Sequence, residues 1–499
     1  MEPLHILNLP ENILYEIFNH FHCDKIHRGL FDATIHNDWT KLQTVKAARL
    51  VCHTFNRLAS PLLCPTLRVR LDHVSLDFVA KVAENPLIAK GVHNIEVVVD
   101  YYPRELATDL LRFGQRRRND LIHRVRECCR YEMEEIEAND MDHETVSDYP
   151  YKDYQQTMEY CQNIIAAWNK YTRLADKGDM DATSLGFILL FRQGHQEYIQ
   201  KHEEQFQLIT DGSFVDRLTS AMSRMRHCVS LQFVDDIDCY YMLENASPLT
   251  FRDDARELSR LMTSPLSWHY IDHLEGGAAI LPAKLLWELP IALYEAGLTI
   301  QAMSIRTFPH PNSCPMDYPA PWTNLYAACQ RLKIFELESI KLNRSSEPFD
   351  HPLGKGQALI EQYIGVVLSS EVLEVIRLSF SHRVGLLPKA INWPRIRKLG
   401  ISHTSLSQEE LEIFCSGLGY MVGNIDLYDI NLRSGSWAGA LDMLRERVLK
   451  RRQKVIPPLF YRLTGGDFRK ENENLIEESR DYIFDNGVSE NPLRRKGYM

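Results

Sequence analysis

Apolar positions recur at helical spacing in two stretches near the start of the chain. Ile13, Ile17 and Phe21 form one stripe and Leu14 and Phe18 the adjoining one,. They follow Pro10, which a first helical turn tolerates because its missing N–H would find no partner there. Glu11 falls near the positive end of that helix's dipole. A second helical pattern runs from about Leu42 to Leu58 through Val45, Ala48, Leu50, Val51, Cys52 and Phe55. It stops before Ser60-Pro61, since proline disfavours helical geometry in the residue before it. So short a stretch cannot bury both apolar arcs alone: very small domains hide only about 60% of the surface their unfolded chain exposes. Part of this surface is expected to meet a partner.

Further along, short β-branched and aliphatic runs follow helical patterns again and again. A helix around Leu76 to Val82 precedes the strand-like run Val92 to Asp100, and Leu218 to Met225 precedes Leu231-Gln232-Phe233-Val234,. The order repeats with Leu285 to Ala296 before Met303-Ser304-Ile305, Leu325 to Cys329 before Phe335-Glu336-Leu337, and Ile364 to Leu368 before Val375-Ile376-Arg377-Leu378. After a separate strand at Leu399-Gly400-Ile401, Leu411 to Leu418 precedes Asn424-Ile425-Asp426-Leu427. The intervals from Leu378 to Ile401 and from Ile401 to Leu427 are 23 and 26 residues, while earlier ones are longer and uneven. This spacing resembles an irregular leucine-rich-repeat array, whose units each supply a parallel strand and an outer helix and cannot bury their apolar faces alone. The Ile-x-Leu positions are expected to point inward and the polar residues between them toward a concave face; a packed α/β domain is the rival arrangement.

One segment breaks the rhythm. Arg104 to about Lys177 reads as long, strongly charged helices separated by the acidic stretch Ala138 to Asp148,. The expected fold class is therefore α/β, divided into a helical module over 1–70, a first helix-strand unit over 71–103, a helical insertion over 104–210, the array over 211–450 and a cap or tail over 451–499. Gly277 to Pro282, Pro309 to Pro321 and Ser345 to Gly356 read as loops between repeats,.

Composition narrows the function. With 44% hydrophobic and 25% charged side chains, the 499 residues have the balance of a globular protein and length for two to four packed units,. The net charge of −10 argues against non-specific nucleic-acid binding, and the runs Arg116 to Arg118 and Arg445 to Lys454 read as solvated helix faces,. No signal-peptide pattern and no membrane-length apolar run is present; the longest apolar cluster, near Leu185 to Phe191, ends at Arg192,. The 11 cysteines include no CxxC pair, which fits a reduced compartment, cytoplasmic or nuclear,.

The two N-terminal helical patterns resemble a known family. Leu9-Pro10-Glu11 followed by Ile13-Leu14 and Ile17-Phe18 is similar to the opening helix of the F-box, and Arg49 to Ser60 is similar to its closing helices. Pro61 to Leu67 resembles the exit found in many fungal F-box proteins. The connection from Cys23 to Lys41 is longer than the family's usual turn, and Phe55 stands where tryptophan is frequent,. The resemblance implies a non-catalytic substrate adaptor that binds a Skp-type adaptor and, through it, a cullin-RING ubiquitin ligase, while the array binds a target protein. Carried over, Leu9, Pro10, Ile13, Leu14, Ile17, Phe18, Leu50, Val51, Cys52 and Phe55 would form the adaptor interface and the packing behind it. The sequence does not divide those two sets. The alternative is a repeat-based scaffold that docks through the same module without promoting ubiquitination.

Enzymatic signatures are missing from the sequence. It carries no phosphate-binding Gly-x4-Gly-Lys-Ser/Thr, no HExxH, no dinucleotide fingerprint and no zinc-ligand spacing,. The nearest nucleophile-elbow pattern, Gly435-Ser436-Trp437-Ala438-Gly439, places tryptophan where the nucleophile must stand,. No catalytic, metal or cofactor residue is assigned.

Overall fold

The apolar triplets become strands because β-branched and long aliphatic residues suit a pleated, buried surface. The computed structural model describes residues 6, 9–21, 39–139, 149–172, 182–235, 255–272, 274, 277–309, 313, 322–338, 362–379, 392–419, 421–422, 424–449, 460–465, 473–484 and 487–495. Among these, nine strands form one parallel sheet whose spatial order is the order of the sequence. The long connection over 22–38, the acidic stretch over 140–148, most of 310–321 and all of 345–356 lie outside the described residues.

The chain begins with α1 (Glu11–Asn19), α2 (Trp39–Ala48) and α3 (His53–Ala59), then β1 (Thr66–Arg70), α4 (His73–Glu84), α5 (Pro86–Ala89) and β2 (Asn94–Val98). It continues through α6 (Arg104–Thr108), α7 (Leu110–Asn139), α8 (Tyr149–Thr172), α9 (Ala182–Thr210), α10 (Ser213–Met222) and β3 (Ser230–Val234). Next come α11 (Ala255–Thr263), α12 (Trp268–Asp272), α13 (Leu285–Glu295), β4 (Ala302–Ile305), α14 (Trp322–Cys329), β5 (Ile334–Glu338) and β6 (Val375–Ser379). The last elements are β7 (Lys398–Ser407), α15 (Gln408–Ser416), β8 (Asn424–Ser434), α16 (Trp437–Leu449), β9 (Phe460–Gly465) and α17 (Glu473–Phe484).

Two units emerge. The first holds Met1–Val98, Gly212–Val234 and Ala283–Met499; the second holds Val99–Asp211 and Asp235–Pro282. The sequence placed 235–282 within the array, yet α11 packs on α9 and α7 of the helical unit. Such a pairing of segments remote in the chain leaves no periodic trace in either of them.

In the first unit the register stacks like on like. Leu67, Ile95, Leu231, Met303, Phe335, Ile376, Leu399 and Ile425 share one row, and Val69, Val97, Phe233, Ile305, Leu337, Leu378, Ile401 and Leu427 another. Both rows are buried. The helices of this unit pack in succession, α4 on α10, α10 on α13, α13 on α14, and later α15 on α16 and α16 on α17. Between the apolar rows runs a polar one, Arg68, Glu96, Gln232, Ser304, Glu336, Arg377, Gly400 and Asp426. The expected alternation is thus present.

β1 and β9 were not among the expected strands. β1 starts within the stretch that the sequence reads as the exit of the helical module, and β9 lies in the expected cap or tail, after Pro457-Pro458 and ending on the first glycine of Gly465-Gly466. β7 and β8 also run on past the repeat positions. Each bends at a residue in the left-handed region, His403 at φ +56° and Asp429 at φ +54°, and pairing then resumes from Thr404 and Ile430. His and Asp tolerate this region better than branched residues do, and His403 Nδ1 lies 2.8 Å from Asp429 Oδ2 across the bend.

The second unit is helical around an aromatic core of Phe113, Trp168, Phe191, Tyr198 and Trp268. Gly194 of α9 lets α11 approach, since a Cβ there would stand 2.4 Å from Met262 Cβ. Trp268 Nε1–H donates to the Val99 carbonyl at 2.6 Å and Trp268 N–H to Asp235 Oδ2 at 2.7 Å. Two histidines complete the polar interior. His202 Nδ1 lies 2.7 Å from the Tyr102 carbonyl and His195 Nε2 lies 3.1 Å from the Leu106 carbonyl. A carbonyl only accepts, so each of those nitrogens carries the hydrogen.

Burial holds both imidazoles below their ordinary value of 6.5, against the opposing pull of the carbonyl bonds. In the unfolded chain they take up protons near that value; in the folded unit they do so only at lower pH. The unfolded state therefore binds more protons below about pH 6.5, and stability falls as pH falls through that region. Thermal unfolding of the full chain, followed by tryptophan fluorescence, should show a lower midpoint at about pH 5 than at about pH 7.5. His202→Gln should narrow the gap, and an equal gap in that variant would assign the effect elsewhere.

Candidate partner-binding face of the N-terminal module

Pro10 stands at the N-cap of α1 with extended backbone, and Glu11 opens the first turn. The single helical pattern expected from Leu42 to Leu58 is in fact two helices with a break over 49–52. Cys52 causes the restart: its backbone is extended, and its Sγ accepts the Phe55 N–H at 3.5 Å, capping α3. Cysteine is not a usual cap, which is why the break carries no sequence signal.

This break decides the fate of the ten residues carried over from the resemblance. Leu14, Phe18 and Phe55 come together with Val45 and Ala59 as a buried cluster, and Leu9 and Cys52 pack half-buried against it. Phe18 and Phe55 meet edge to face, ring centroids 5.3 Å apart. The remaining five face outward. Ile13 is 44% exposed, Ile17 36%, Leu50 84% and Val51 58%, and Pro10 is exposed beside them in sequence. Pro10, Ile13 and Ile17 share one stripe of α1 by their spacing, while Leu50 and Val51 form the turn between α2 and α3.

Single exposed apolar residues are ordinary on any protein. Concentration is what distinguishes this module. Of the fourteen large apolar side chains exposed among the described residues, six lie between Ile6 and Val51. Covering one such aliphatic side chain is worth about 1.5–3 kcal/mol, so a partner seated on several of them gains appreciable affinity before any polar contact forms.

The module is fastened within its own unit. Arg57 Nη2 reaches Glu11 Oε2 at 2.6 Å, joining α3 to α1, and this hydrogen bond lowers the Glu11 carboxyl below its usual range. Both side chains are solvent-exposed, and such a pair orients more than it stabilises. Gly91 fixes the exit: a Cβ there would fall 1.7 Å from the Pro61 carbonyl oxygen, so only glycine admits the contact,. The Pro65 carbonyl also accepts the N–H groups of His93 and Asn94, leading the chain straight into β1 beside β2.

A second candidate surface is the polar row of the sheet. It is laced by ion pairs between neighbouring strands: Arg68 to Glu96 at 3.1 Å, Arg377 to Glu336 at 3.0 Å and Lys398 to Asp426 at 3.4 Å. Burial pushes the Glu336 carboxyl up, and Arg377, Arg306 and Lys398 pull it back. Among the described residues no three metal-ligating side chains converge, and no helix is long and apolar enough to cross a membrane. Trp437, which spoils the nucleophile elbow, is fully buried in the first turn of α16.

No family model matches the chain, and no curated protein matches it.

Proposed function

We propose that the chain is a substrate-recognition adaptor of a Skp-cullin-F-box ubiquitin ligase, with α1 to α3 as its F-box. The observation that carries this reading is the separation within one small module of a buried Leu14, Phe18 and Phe55 from an outward Ile13, Ile17, Leu50 and Val51. A helical module that leaves aliphatic side chains in water at these positions has the surface a Skp-type adaptor would cover. The nine-stranded parallel sheet, with strands in sequence order and helices packed in succession, supports reading the remainder of the first unit as an irregular leucine-rich-repeat-like array,. Its polar row is then the place where a target protein is held.

The chain supplies no chemistry in this reading. One end binds the ligase scaffold and the other the target, which raises the effective concentration of target lysines beside the charged conjugating enzyme. The working compartment is the cytoplasm, the nucleus or both.

The test is co-expression with the Skp-type adaptor and its cullin. The wild-type chain should co-purify with both, while Ile17→Asp combined with Leu50→Asp should lose the adaptor, with unchanged circular dichroism. Each exposed site buried beneath a partner would carry an unpaired carboxylate, and the two together should weaken binding by about 100-fold or more. Retained binding by the double variant, or no binding by the wild type, would overturn the assignment. Adaptor binding without cullin would instead leave a scaffold that never promotes ubiquitination.

A further inference from the structure

The helical unit carries an apolar groove that the adaptor reading does not use. α7 and α8 pack against each other, and a cleft of about 370 Å³ runs between them. Ile122 of α7 and Met158, Cys161 and Ile165 of α8 floor it, and Arg118 and Arg126 stand on its α7 wall. Ile122 and Ile165 are half-buried, Cys161 is buried, and both arginines are exposed.

The arginines of α7 show which of them answer to the fold itself. Arg112 pairs with Asp109, Arg116 and Arg117 with Asp120, and Arg124 with Glu257. Arg118 and Arg126 have no carboxylate partner among the described residues, and these are the two that border the groove. They lie eight residues apart on the same face, about 12 Å along the helix axis at 1.5 Å per residue. A guanidinium with no carboxylate partner among the described residues at either end of an apolar trough, two helical turns apart, is a pattern with a specific complement.

We infer that this groove docks an amphipathic helix of a target protein that carries apolar residues on one stripe and a carboxylate at each end of it, eight positions apart. The apolar stripe fills the trough over Ile122, Met158 and Ile165, in the manner of helix-in-groove recognition. The flanking carboxylates meet Arg118 and Arg126, which fix direction and register. The bland counterpart is that the two arginine stems merely shield apolar surface. Shielding needs no particular sign of charge on a ligand, so charge reversal separates the two. The inference refines the reading of the chain as a target-binding adaptor, but its test does not involve the Skp-type adaptor, so either can fail alone.

The probe is a fluorescein-labelled, hydrocarbon-stapled 16-residue helix with Leu and Ile on one stripe and Glu at two positions eight apart; its twin carries Lys at those positions. Anisotropy titrations use the full chain. Two ion pairs formed against two like-charge contacts should favour the Glu helix by about tenfold. Arg118→Glu with Arg126→Glu should reverse that preference, and Ile122→Asp should weaken both peptides. Equal affinity for the twins, no binding of either, or an unreversed preference in the double variant would overturn the proposal. So would displacement of the Glu helix by vesicles of anionic phospholipid as effectively as by unlabelled peptide, which would make the groove a lipid site.

Discussion

Asp120→Ala should cost the helical unit about 3–5 kcal/mol, the loss expected when a buried ion pair is deprived of one member. Its partner, Arg117, is fully buried, and Asp120 nearly so. Arg117 Nη1 donates to Asp120 Oδ2 at 3.0 Å and Nη2 to the Ser264 carbonyl at 2.6 Å, while the guanidinium carbon lies 5.3 Å and 5.2 Å from the ring centres of Phe113 and Tyr198. Arg116 adds a second contact to the same carboxylate at 2.7 Å. Remove Asp120 and the guanidinium keeps its charge in an aromatic interior with the Ser264 carbonyl, a long contact to the Ser264 hydroxyl and two ring faces for compensation. Against a domain stability of about 5–15 kcal/mol, that is a large fraction. Urea unfolding of the full chain should show the tryptophan transition of this unit moved to lower denaturant. Arg117→Met combined with Asp120→Leu should recover most of the loss, because two apolar groups of similar volume escape the desolvation penalty that the ions carry. A single variant within about 1 kcal/mol of wild type would mean that water or another group already serves Arg117.

That pair also illustrates where sequence reading stops. The run Arg116 to Arg118 read as a solvated face, and for Arg118 it is one. Arg117, one position along, turns about 100° about the helix axis into the interior, and what receives it is Ser264, 147 residues away. Nothing local to α7 announces that α11 and the turn after it will close over this point. The strands from β2 to β8 were legible because their apolar-x-apolar signal is local and repeats, filling the same two register rows in each of them. β1 was missed because Thr66 to Arg70 offers only two apolar positions straight after Pro65; β9 was missed because prolines and glycines bracket it. The stacked His403 and Asp429 bend has no glycine to mark it.

The candidate face was half legible. Helical spacing separated Ile13 and Ile17 from Leu14 and Phe18 within α1, but Phe21, expected in line with the first pair, lies past the helix end and packs against the buried cluster; a broad apolar arc does not tell which edge looks inward. Leu50 and Val51 fell at helical intervals with Phe55 only if the helix is continuous, and the Cys52 cap interrupts it. The interruption sends Leu50 outward and leaves Phe55 in the cluster. Packing therefore made the division between interior and surface that the resemblance had left open.

This division yields the second large effect. Phe18→Ala should unfold the N-terminal module within an otherwise folded chain. Phe18 is buried against Leu14, Val45, Phe55 and Ala59, and it makes the edge-to-face contact on which α1 and α3 meet. Truncating a buried phenylalanine costs about 3–5 kcal/mol, and a module of three short helices has few other contacts over which to spread that loss. Leu50→Asp, by contrast, alters a side chain already in water and should shift stability by no more than about 0.5 kcal/mol. Under the proposed F-box reading both variants lose the Skp-type adaptor, for different reasons, and limited proteolysis of the full chain tells them apart. Phe18→Ala should open new cleavage sites within α1 to α3; Leu50→Asp should give the wild-type digestion pattern. Were Leu50→Asp to open the same sites, Leu50 would belong to the module's own packing. Aspartate at Leu14 or Phe55 reports only on folding, since both positions lie inside the cluster, so a test of the docking face has to be made from its outward side.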